Sequence, residues 1–150
     1  MVPTQVMLDS VAKEIATDTS VLAAALFLQI FLIKAPFTPG PTLTVAGLTQ
    51  ADFAGSTALA NTSATMLKYK DSSTGEWLVE VPPPAGGWHW QTTSEVTNLP
   101  QSIYGWGLMD STGAVLYGTS LFPAPILLND ISQGVDIPAV NFRLSASALL

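Results

Sequence analysis

From residue 26 to residue 33 the chain reads Leu26-Phe27-Leu28-Gln29-Ile30-Phe31-Leu32-Ile33, apolar at every position except Gln29. Successive side chains of a strand point to opposite faces, so this run is greasy on both. It predicts a strand covered on both sides rather than one with a wet face. The apolar stretch begins at Val21. It is still shorter than the roughly 20 residues a membrane crossing needs, and Pro36, Pro39 and Pro41 close it off. Asp9, Lys13, Glu14 and Asp18 precede it, where a secretory signal needs a short basic start. Neither a membrane span nor a signal peptide is expected.

Upstream, residues 3–17 predict a short helix. Pro3 suits a first turn. Met7, Val11 and Ile15 recur at i, i+4 and i+8 beside Leu8 and Ala12, which makes one apolar stripe. Residues 1–35 are therefore expected to form an N-terminal helix and apolar arm or strand on a β-domain of residues 36–150, the whole being one globular unit. The helix is expected to cover one face of the apolar strand. The core or a neighbouring subunit would cover the other.

The rest of the chain is punctuated for strands and turns. Pro36, Pro39, Gly40 and Pro41 predict an extended loop. Residues 43–45 read as a short extended piece, and residues 49–53 as one helical turn capped by Thr49. Residues 65–70 and 76–81 alternate apolar and polar positions around a five-residue turn and predict a hairpin, with Lys68 and Lys70 facing Glu76 and Glu80. Residues 103–109 and 114–122 predict a second hairpin around Asp110-Ser111-Thr112-Gly113, Asp opening the turn and Gly closing it. Pro123 and Pro125 are expected to end its second strand. Residues 135–144 predict a last strand, with Pro138 at an edge or bend. Short strands at this spacing predict an all-β fold, a β-sandwich or jelly-roll-like barrel with the N-terminal helix or arm attached.

Composition narrows the chemistry. The net charge is −6 with five Lys and Arg, which disfavours a phosphate-binding basic patch and hence a nucleic-acid partner. There is no cysteine and one histidine, His89, so thiolate catalysis, thiolate zinc sites and a histidine zinc site are all removed. On a strand His89 points away from Trp88 and Trp90, and no Gly-x-Ser-x-Gly elbow accompanies it. Most carboxylates sit in turns, in the helix or on a solvent face; Asp52, Glu95 and Asp136 lack local context. No catalytic residue, cofactor site or metal site is expected. Only 11% of residues are charged, against about 25% in an average soluble domain. A surface so poor in charge is expected of a subunit covered by its neighbours. A competing use of the aromatic residues is a sugar platform built on Trp88 and Trp90, which requires exposed coplanar rings.

Two stretches resemble a family of small proteins encoded among the structural genes of tailed bacteriophages and prophages. The first is Leu32-Ile33-Lys34-Ala35-Pro36-Phe37-Thr38-Pro39-Gly40-Pro41-Thr42, followed by Leu48-Thr49-Gln50-Ala51-Asp52-Phe53-Ala54-Gly55. The second is Pro100-Gln101-Ser102-Ile103-Tyr104-Gly105-Trp106-Gly107-Leu108-Met109-Asp110, with Gly113 and residues 115–122. These are turn and packing motifs and carry no catalytic residue. The resemblance implies a non-enzymatic virion protein on the head surface, a capsid decoration or cement protein. Its partners would be the major capsid protein and further copies of itself, with a trimer suggested by the threefold axes of icosahedral shells. Contact would fall on Met7, Leu8, Val11, Leu26, Phe27, Phe31, Phe37, Pro39 and Pro41. The alternative is a tail or fibre module that binds a receptor or carbohydrate through Trp88 and Trp90.

Overall fold

In a computed structural model of the chain, residues 2–4, 28–60, 67–70, 73, 77–93 and 98–144 are described. The strands are β1 (Val2–Pro3), β2 (Leu28–Ile33), β3 (Leu59–Ala60), β4 (Leu67–Lys70) and β5 (Trp77–Val81). They continue with β6 (Trp88–Gln91), β7 (Gln101–Asp110), β8 (Leu116–Leu128), β9 (Gly134–Ile137) and β10 (Val140–Leu144). Among the described residues the one helical piece is a 3-10 turn at Val45–Gly47. The fold is all-β, with every pairing antiparallel.

Among the described residues three sheets result: β1-β8-β7-β2-β3, β10-β5-β4 and β6-β9. The apolar run sits inside the largest, with β2 between β7 and β3. It is therefore an inner strand of the main sheet. Both of its faces are covered, as the sequence predicted. Leu28, Ile30 and Leu32 enter a cluster with Val81, Trp88, Trp90, Ile103, Trp106, Leu108, Leu128, Val135, Ile137 and Val140, which draws on all three sheets. Phe31 and Ile33 enter a second cluster with Val45, Leu48, Met109 and Leu116, flanked by Phe37, Leu43 and Ala58. Among the described residues, this second cover is the loop that follows β2.

Several expectations change. Val2 and Pro3 pair with Thr119 and Gly118, so Pro3 lies on a strand rather than in a first helical turn. Thr4 secures that strand, its buried hydroxyl donating to the Leu116 carbonyl and its amide to that of Tyr117. The remainder of the expected helix, with Met7, Leu8 and Val11, lies outside the described residues, as do Leu26 and Phe27 at the start of the apolar run. Residues 49–53 do not form a helical turn. Gln50 bridges to Ile33, the Lys34 amide donates to the Thr49 carbonyl at 2.9 Å, and the Ala51 amide donates to Leu32 at 2.8 Å. The open edge of β2 thus claims these backbone groups, and a helical turn falls earlier, at Val45–Gly47, starting at the last residue of the piece read as extended.

In the first hairpin the register sets Lys68 opposite Val79, Lys70 opposite Trp77 and Glu80 opposite Leu67, so the expected cross-strand charge pairs are not formed in register. In the second, β8 runs through Pro123 and Pro125 as far as Leu128. Ile103 pairs with Ile126 and Gly105 with Leu121, so residues 122–125 bulge out opposite Tyr104. β1 reaches only Gly118 and Thr119 on the other side of β8. The prolines fall in a bulge on an edge, where no ladder bond is required of their missing N–H. The last predicted strand is divided at Pro138 into β9, which pairs with β6, and β10, which pairs with β5.

Candidate functional site

Three surface features stand out. The first is His89. β6 alternates buried and exposed residues, which turns Trp88 and Trp90 inward and His89 and Gln91 outward. β9 does the same in register, placing Asp136 directly opposite His89. The imidazole Nδ1 lies 2.6 Å from the Asp136 carboxylate, to which it donates. That hydrogen bond orients the ring, whose side chain is 46% exposed. A Cβ on Gly134 would come within 3.0 Å of the ring, so the glycine makes room for it. Asp136 is thereby explained as the orienting partner of His89. Among the described residues no group of three metal-ligating side chains occurs.

The second feature is a polar knot that joins three parts of the chain. The Lys34 ammonium lies 2.6 Å from Asp52. Gln101 Nε2 donates to the other Asp52 oxygen at 2.6 Å, and the Asp52 amide donates to Gln101 Oε1 at 3.2 Å. Asn98 donates to the Asp52 carbonyl at 2.9 Å. The hydrogen bond from Lys34, then that from Gln101, hold the Asp52 carboxyl below the ordinary aspartate range. The sequence left Asp52 without a role. A weak signal existed, because Lys34 and Asp52 both fall in the first stretch that resembles phage structural proteins, but spacing alone did not bring them together.

The third feature is apolar. Leu121, Leu127 and Ile131 are 46%, 52% and 43% exposed, and Val2 is 41% exposed. Leu121 and Leu127 lie on β8 beyond the reach of β1, where that strand has a described neighbour on one side only. Pro123 and Pro125 between them prevent a continuous new ladder along the edge.

The candidate contact residues divide. Phe31 is 1% exposed, because its ring packs over Gly107 under the loop that follows β2, so it is withdrawn as a contact. Phe37 is half-buried beside Gly105 and Leu121. Pro39 is half-buried and Pro41 exposed. Trp88 and Trp90 are 2% and 1% exposed, so they cannot form the sugar platform. Their faces meet the core because β6 alternates strictly, and the Trp90 indole donates to the Thr57 carbonyl at 3.0 Å. Glu95 lies outside the described residues. No protein-family model, curated protein or solved structure matches the chain.

Proposed function

We propose that this chain is a non-enzymatic virion structural protein, a capsid decoration or cement protein that bridges major capsid subunits on the head surface as a homo-oligomer. The observation that carries this reading is the exposed apolar pair Leu121 and Leu127 on a half-free strand edge of a protein with very few charges. Apolar contact of this kind contributes about 25 cal/mol per Å² buried and is not screened by salt, which suits a joint that must resist internal pressure. The contact surface so proposed differs from the one first expected. It uses Leu121, Leu127, Ile131 and the exposed part of the Phe37–Pro41 loop, while Phe31 serves the fold. A sandwich architecture agrees with the cluster that joins all three sheets. The carbohydrate reading loses its support with the burial of Trp88 and Trp90.

Heating virions, or treating them with mild denaturant, tests the proposal. The expected result is that this protein leaves the shell and that depleted shells burst sooner than intact ones. Virions lacking the protein that prove equally robust would overturn it.

A further inference from the structure

We infer that residues 35–48 form a lid that lifts as a unit from the second face of β2 while the sheets stay folded. The two ends of this segment meet. The Lys34 amide donates to the Thr49 carbonyl at 2.9 Å, and the bridge between Ile33 and Gln50 follows at once. A loop closed at its neck in this way is an Ω-loop, a class that packs through its own side chains.

Above the neck, the described backbone hydrogen bonds are all internal. Leu43 donates to Gly40, Gly47 to Thr44 and Leu48 to Val45, and none of the described bonds runs from residues 35–48 to a sheet. Among the described residues, attachment rests on the side chains of Phe37, Leu43, Val45 and Leu48, which close over Phe31, Ile33, Met109 and Leu116. Lifting the lid therefore breaks none of the described ladder bonds. Pro36, Pro39 and Pro41 restrict the backbone of the segment, which favours movement as one body over local fraying. The opposite face of the same strand behaves differently. Leu32 belongs to the cluster shared by all three sheets, and exposing it requires the sheets to separate.

The lid uncovers an apolar trough whose floor includes Gly105 and Gly107, where the rings of Phe37 and Phe31 lie close to the backbone. Openings of this sort are set by few apolar contacts and lie well below global unfolding in free energy. The inference stands whether or not the protein belongs to a virion.

Neighbouring residues on β2 provide the test, because the chain has no cysteine of its own. Ile33→Cys places a thiol under the lid and Leu32→Cys places one in the shared core, at 0% and 1% exposure. Labelling with a thiol reagent under native conditions, across a urea series below the unfolding transition, reads the two openings separately. The expected result is that Ile33→Cys reacts about 100-fold faster than Leu32→Cys, with a much weaker urea dependence. Adding Phe37→Ala should speed labelling at residue 33 about tenfold and leave residue 32 nearly unchanged. Leu116→Cys against Leu108→Cys repeats the comparison on β8 and β7 should either first variant fold poorly. Equal rates with equal urea dependence on the two faces would overturn the lid, as would indifference of residue 33 to Phe37→Ala.

Discussion

The ring of Phe31 fills the notch left by the missing side chain of Gly107: a Cβ on Gly107 would stand 2.5 Å from the ring's Cζ. The two residues are directly paired across β2 and β7. Gly105, two residues earlier, is tighter still, since a Cβ there would collide with the Ser120 carbonyl and approach Leu121 Cα and the Phe37 ring. The Tyr-Gly-Trp-Gly segment of β7 thus shapes the sheet to receive two aromatic rings. Gly107→Ala is expected to destabilise the protein by about 1–3 kcal/mol through overpacking, and Gly105→Ala by more, because backbone cannot swing aside as a ring can. Urea denaturation measures both. Phe31→Leu should recover part of the loss in Gly107→Ala and none in Gly105→Ala, and an additive double mutant with Gly107→Ala would show that the notch is not the cause.

Trp88 and Trp90 share a strand and a face but not a hydrogen-bonding state. Trp90 donates to Thr57, whereas the buried Trp88 Nε1 has no partner among the described residues. Replacing each by Phe removes similar volume. Trp90→Phe should be the more destabilising by about 1–2 kcal/mol, since it also leaves the Thr57 carbonyl without its donor. Equal losses in thermal or chemical denaturation would contradict the assignment.

Acid should weaken the fold through Asp52 and Asp110. For Asp52 the Lys34 hydrogen bond leads. For Asp110 desolvation pushes the carboxyl up, but hydrogen bonds from the Thr112 hydroxyl and the Val115 and Ala114 amides outweigh it. Both folded values lie below the ordinary aspartate value of about 3.9. Their contribution is complete above that value and is lost as pH falls through the lower, folded values. Stability measured between pH 6 and pH 2 should decline below about pH 4. The decline should be shallower in Asp52→Asn and Asp110→Asn, and an unchanged slope in both variants would rule these groups out as its source.

Surface changes should separate folding from association. Leu121→Ser and Leu127→Ser remove exposed side chains and are expected to shift unfolding stability by no more than about 0.5 kcal/mol. Under the proposed role the double variant should nevertheless fail to bind isolated capsid shells in a co-sedimentation assay. A variant that binds normally would move the contact surface elsewhere on the molecule.

The turn at Asp110 tests local chemistry. Gly113 sits at φ 74°, in the left-handed region, and its amide donates to the Asp110 carbonyl at 3.1 Å. Gly113→Val should destabilise the protein by about 1–3 kcal/mol through backbone strain. Gly40→Val, at a glycine whose Cβ would meet nothing within 4 Å, should have a smaller effect on the same denaturation curve.

What the sequence determined by itself was local. The two-sided apolar pattern of residues 28–33, the turn chemistry from Asp110 to Gly113 and the inward-outward alternation around His89 were each legible, because periodicity and turn residues act within a few positions. The partners were not legible. Asp136 meets His89, Asp52 meets Lys34 and Gln101, and residues 35–48 cover Phe31, all through strand registers and loop returns that join distant parts of the chain. Pro123 and Pro125 show the same limit: locally they read as a strand end, but only the register against β7 reveals a bulge that carries the strand past them. Tertiary structure decided which apolar faces were kept inside and which were left outside, because burial is a property of what returns to cover a residue and not of the residue itself.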